Sequence, residues 1–163
     1  MMKERIKNYL LEYLSTENLT YEYISDDSEE SIYFVKMESD LGVFDCYINI
    51  HDDQNLIEVI SHFPLKIMEN KKQEIGIHLH EINKKLFFGN FEFDFVTGEI
   101  RVKTYMLTEN IIENSFINFS TIFQRNHQII DEFIPGCLEI AYGNVDSTLV
   151  ISSLKTISKI RLN

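Results

Sequence analysis

Histidines, cysteines and carboxylates are the side chains here that could do chemistry, and their spacing argues against most of it. His78 and His80 in IHLHE resemble half of a metal motif. Residues two apart on a helix point about 200° away from each other and cannot share an ion. His78, beside Glu74 and Glu81, reads as a surface histidine at the edge of an apolar stripe, with His80 on the far side. His51 sits in the turn HDDQN with two carboxylates, a solvated loop. His62, next to Phe63 and Pro64, and His127, at the edge of a long apolar stripe, read as structural. DDSEE (26–30) has neither the alternating ligands nor the central Gly of a calcium loop.

Glu92 and Asp94 in FEFDF are the closest approach to a catalytic acid pair. Cys46 and Cys137 lie far apart, outside any CxxC, each in an apolar neighbourhood, and read as small buried hydrophobes. The six glycines are scattered, with no GxSxG, P-loop or GxGxxG. No catalytic, metal or cofactor-binding residue is assigned.

The elements that would hold these groups follow from periodicity. Ile6, Tyr9, Leu10, Tyr13 and Leu14 form one face of a helix ending near Ser15. From about 20 to 63 the period is two, predicting antiparallel strands at SIYFVKM, VFDCYINI and LIEVISHF. Phe44, Cys46, Ile48 and Ile50 share one face; Asp45, Tyr47 and Asn49 share the other. Met68, Ile75, Leu79, Ile82 and Leu86 then predict a helix, weakened by Gly76 and stopped by a left-handed Gly89.

In LFFGNFEFDFVTGEIRVK, a hairpin with an even loop centred on Thr97–Gly98 sets Phe95 against Ile100, Phe93 against Val102 and Phe91 against Thr104. Asp94 then meets Arg101 and Glu92 meets Lys103 on the wet face. An odd loop would set phenylalanines against cations. Finally Ile112, Phe116, Phe119, Phe123, Ile130 and Ile134, widened by Ile111, Ile122, Ile129 and Phe133, mark the longest helix. Asn126 falls inside its stripe and needs a partner if buried. Pro135–Gly136 should stop or bend this helix before a short segment ending at Gly143. The order predicts one α+β domain over 1–163, an antiparallel sheet with helices packed on one face.

Composition bounds the function classes. With 163 residues, a single domain is expected. A net charge of −11 disfavours nucleic acid, which needs clustered cations, and repels anionic membranes. The N-terminus lacks the apolar core of a signal peptide, and no apolar run nears the ~18 residues that span a bilayer, so the chain reads as cytoplasmic. Lys155, Lys159 and Arg161, without a carboxylate over 147–163, suggest a cationic tail folding back on an acidic body.

Over about 31–143 the chain resembles the YbjN family of bacterial proteins. The resemblance rests on HFPLKI, EINKKLFFGNFEFDFVTGEIRVKT, LTENII and FIPGCLEIAYGN. Asn83, Gly89, Asn90, Phe91, Gly98, Glu99, Pro135, Gly136 and Gly143 match the pattern; Thr97 departs where Asp is usual, and AYGN departs from Ile-Tyr-Gly. The resemblance implies a fold like that of type III secretion chaperones, which are small, acidic, usually dimeric and bind partner segments. It implies a sensory-transduction or regulatory role and no catalytic residues.

The function expected is therefore a non-enzymatic, homodimeric protein-interaction module without cofactor, binding a protein partner or segment. Off-stripe apolar residues Ile77, Phe87, Phe88 and Ile117 would form its binding surface if exposed. The alternatives are a small-molecule sensor using the concave sheet face, and an enzyme with an unfamiliar site.

Overall fold

The structure is a computed structural model and describes residues 2–26, 30–39, 41–109 and 115–143. The basic tail, residues 27–29 of the acidic run, and Ile111 and Ile112 lie outside the described residues. The chain starts with helix α1 (Met2–Thr16), followed by strands β1 (Tyr21–Asp26), β2 (Glu30–Ser39), β3 (Gly42–His51) and β4 (Leu56–His62). A 3-10 turn (Glu69–Lys71) leads into α2 (Lys72–Asn83). Then come β5 (Asn90–Phe93), β6 (Ile100–Leu107) and the long helix α3 (Ser115–Tyr142).

The six strands form one antiparallel sheet in the order β1-β2-β3-β4-β6-β5. Alternation puts Val35, Cys46, Ile48, Val59 and Val102 on the covered face, where the helices pack. The expected α+β architecture is therefore present.

Helix α3 is the spine of the helical layer. Its first half, through Phe119, Ile122 and Phe123, packs with α1 over β2, β3 and β4. Tyr13 of α1 stacks on Phe119 and Phe123 at centroid distances of 5.9 and 5.1 Å. The second half, through Ile129, Ile130, Phe133, Ile134, Cys137 and Ile140, packs with α2 over β5 and β6. Asn126 lies between these two apolar clusters and is buried. Its Nδ2 donates to the Val59 carbonyl (3.0 Å), the Val102 carbonyl (3.2 Å) and Thr104 Oγ1 (3.3 Å). Its Oδ1 accepts from Ser61 Oγ at 2.6 Å. The polar position in the stripe thus ties the helix to two central strands.

Several expectations are corrected. Pro135 does not stop α3, which runs on to Tyr142 with the proline inside it. Proline forfeits one intrahelical bond, but Phe133, Ile134, Cys137, Ile140 and Ala141 are all buried around it and hold the helix in place. Met68 lies outside α2 and is half exposed. Gly89 is no helix cap, since α2 ends six residues earlier. It has φ +95°, and a Cβ there would run into the Lys103 carbonyl.

The hairpin keeps the expected faces but moves by two residues: Phe93 pairs with Ile100, Phe91 with Val102 and Glu92 with Arg101. The cause is Asp94. Its carboxylate accepts from the Val96 N–H (2.7 Å) and the Thr97 N–H (3.1 Å), while its carbonyl accepts from the Gly98 N–H (2.7 Å). That local turn claims residues 95–98 for the loop, with Gly98 supplying φ +77°. Phe95 consequently leaves the sheet and lies half exposed, its ring in the notch left by the missing side chain of Gly76.

His78 is also corrected: it is fully buried, not a surface residue. Among the described residues, neither ring nitrogen has a hydrogen-bond partner. Burial, and then the Lys85 charge, push its pKa down from 6.5 to about 4, against the pull of Glu74. A base harder to protonate in the fold contributes stability that is complete above about 6.5 and lost as pH falls toward about 4. His78→Leu is therefore expected to be as stable as wild type or better at neutral pH. Its advantage in melting temperature should widen between those pH values; parallel curves in a thermal-melt pH series would contradict this.

Candidate functional site

The acid pair Glu92 and Asp94 is engaged structurally. Glu92 binds Lys103 Nζ at 3.1 Å. Asp94 serves its turn instead of pairing with Arg101, and the N–H groups of Thr97 and Val96 hold its pKa below the usual value. Arg101 approaches Glu99 (3.6 Å), which also binds Lys66 at 2.9 Å. Cys46 and Cys137 are buried, and desolvation pushes both thiols up to about 12. His78 and His80 fall on opposite sides of α2, one buried and one exposed. His127 Nε2 lies 2.7 Å from the Glu38 carbonyl, and His62 packs edge-on against Tyr47.

His51 is not in a loop. It ends β3, with Nδ1 3.3 Å from Glu30 and Nε2 3.2 Å from Glu58. Glu58 also approaches Lys103 (3.5 Å), which binds Glu92. Residues from β2, β3, β4, β6 and β5 thus form one charge ladder across the sheet face opposite the helices. Burial opposes the Lys103 charge, yet Glu92 and Glu58 together raise its pKa. No sequence spacing announces this ladder, because each member comes from a different strand.

The four residues expected to form a binding surface are all exposed: Ile77 53%, Phe87 91%, Phe88 65% and Ile117 61%. They lie on three elements: Ile77 on α2 next to Gly76, the phenylalanines in the loop 84–89, and Ile117 in the first turn of α3. Phe88 reaches α3 at Arg125, whose guanidinium carbon sits 5.4 Å from the ring centroid. Arg125 is two helical turns beyond Ile117, about 12 Å along the axis.

The loop is presented by a clamp. Asn83, the last residue of α2, donates from Nδ2 to the Phe91 carbonyl (2.9 Å) and accepts from the Phe91 N–H at Oδ1 (2.7 Å). This imitates a strand neighbour and fixes the end of the helix against the start of β5. Leu86 packs on the core, and Phe87 and Phe88 are left outside. Arg125 sets one cation over Phe88, while Lys84, at the start of the loop, pairs with Glu81 at 3.2 Å.

Compared with known proteins, the chain matches no family model and no curated protein. Among the described residues, no helix is long and apolar enough to cross a membrane.

Proposed function

We propose that this is a non-enzymatic protein-interaction module of the cytoplasm that docks a segment of a protein partner on the loop 84–89, in a chaperone-like or regulatory role. The observation that carries the reading is the side-by-side exposure of Phe87 and Phe88 in a loop whose two ends are anchored by the Asn83 clamp and Gly89. Isolated apolar side chains on a surface are ordinary, whereas adjacent phenylalanines this open cost solubility unless something covers them. The Arg125 guanidinium beside Phe88 favours a segment that carries a carboxylate next to its apolar residues. The resemblance to YbjN proteins supplies the chaperone-like and regulatory elements of the reading.

Affinity capture from native lysate tests it, with wild type and the Phe87→Asp, Phe88→Asp double variant as baits. Wild type should retain a partner that the double variant loses. Recovery of the same proteins by both baits would remove the support.

A further inference from the structure

Among the described residues no helix packs on the sheet face away from α1, α2 and α3, and the charges of that face have an internal order. The register aligns Lys36 (β2), Asp45 (β3), His62 (β4), Arg101 (β6) and Glu92 (β5) in one cross-strand row. Read outward from β4, the signs are minus then plus on one side, and plus then minus on the other. A row of this kind matches itself when rotated by a two-fold axis lying along β4. Strand β3 of one copy then faces β6 of the other, and β2 faces β5. Asp45 meets the partner's Arg101 and Lys36 meets the partner's Glu92, each contact occurring twice.

We infer that this sheet face is the interface of a homodimer, two copies packing sheet on sheet about an axis parallel to β4. The neighbouring rows agree. Phe34, Tyr47, Ile60 and Lys103 align next to the charged row, which puts Tyr47 under the partner's Lys103 and Ile60 against its own copy. In the following row, Asn49, Glu58 and Tyr105 align. Asn49 Oδ1 is buried without a donor among the described residues, and Tyr105 is exposed. The same axis sets the partner's exposed Tyr105 opposite Asn49.

Glu58 meets its own copy on the axis, where like charges would repel. The Lys103 ammonium offsets its charge within its own sheet, which gives the ladder a purpose. Five facing strands (four spacings) by four row spacings give a face of about 19 by 27 Å between backbone positions, to which the outermost side chains add. That is comparable with the ~800 Å² per partner of a standard interface. This dimer is independent of the loop 84–89, so it stands or falls apart from the docking proposal.

The test is a charge exchange read by sedimentation equilibrium of the full chain at micromolar concentration. Wild type should have the mass of a dimer. Asp45→Arg and Arg101→Asp each set like against like twice, and each should weaken association about a hundredfold or more. Mixed in equal amounts, the two variants should recover the dimer, since every contact between positions 45 and 101 is again Arg against Asp. A monomeric wild type would overturn the inference, as would single variants that stay dimeric. So would folded variants, checked by circular dichroism, that remain monomeric when mixed. Should Arg101→Asp fail to fold, Lys36→Glu and Glu92→Lys provide the same exchange with the same outcomes.

Discussion

Replacing Asn126 by Leu is expected to destabilise the protein by roughly 3–5 kcal/mol, more than removal of any surface ion pair. The side chain has nearly the right volume, so the loss comes from hydrogen bonding. Asn126 fills three acceptors on β4 and β6 and takes the Ser61 proton, all at the seam between the two apolar clusters. Leucine leaves Ser61 Oγ–H without its acceptor in a buried site. For a domain of this size the melting temperature should fall on the order of 10 °C. Removing Ser61 as well should recover part of the loss, because a deleted hydroxyl needs no partner. Denaturant unfolding of both single variants and the double variant measures that coupling. An Asn126→Leu protein within 1 kcal/mol (about one hydrogen bond) of wild type would show that the seam is held by packing alone.

The second large effect is expected at Gly89. Alanine there must accept φ +95° and also bring its Cβ onto the Lys103 carbonyl, with Thr104 Cγ2 at 2.8 Å and Ile129 Cδ1 at 3.2 Å. Backbone atoms of a central ladder cannot step aside, so about 3 kcal/mol or more should be lost. Gly42 is the control: it has φ +129° but nothing within 4 Å of a Cβ. Gly42→Ala should cost only the backbone strain, about 1–2 kcal/mol. Equal losses at the two sites would mean that the approach of the loop to β6 contributes nothing. The Gly89 variant should also disturb the presentation of Phe87 and Phe88, whereas Gly42→Ala should not.

Much of this fold can be read from residue spacing, and the misses have physical causes. The alternation of Phe91, Phe93 and their acidic neighbours settles which face each residue takes, because faces depend only on whether the loop is odd or even. It does not separate a two-residue loop from a four-residue one. That choice rests on the bonds Asp94 makes with Val96 and Thr97, and the Asp four residues before a Gly was the available signal. His78 sits at the edge of a stripe, where the width of the covering surface decides burial, and one helix cannot reveal that width. Exposure of Ile77, Phe87, Phe88 and Ile117 was legible as departures from helical arcs. The Asn83 clamp that presents two of them was not, since its partner lies across a loop. The charge row over β2 to β5 needed the strand order, in which β6 precedes β5 at the edge.

The two thiols occupy different halves of the interior, Cys46 beneath α1 and Cys137 beneath α2. Each must wait for its own half to open before an alkylating reagent can react. The chain therefore carries two clocks, and whether they run together tells whether the molecule comes apart as one body or splits along the line that Asn126 stitches.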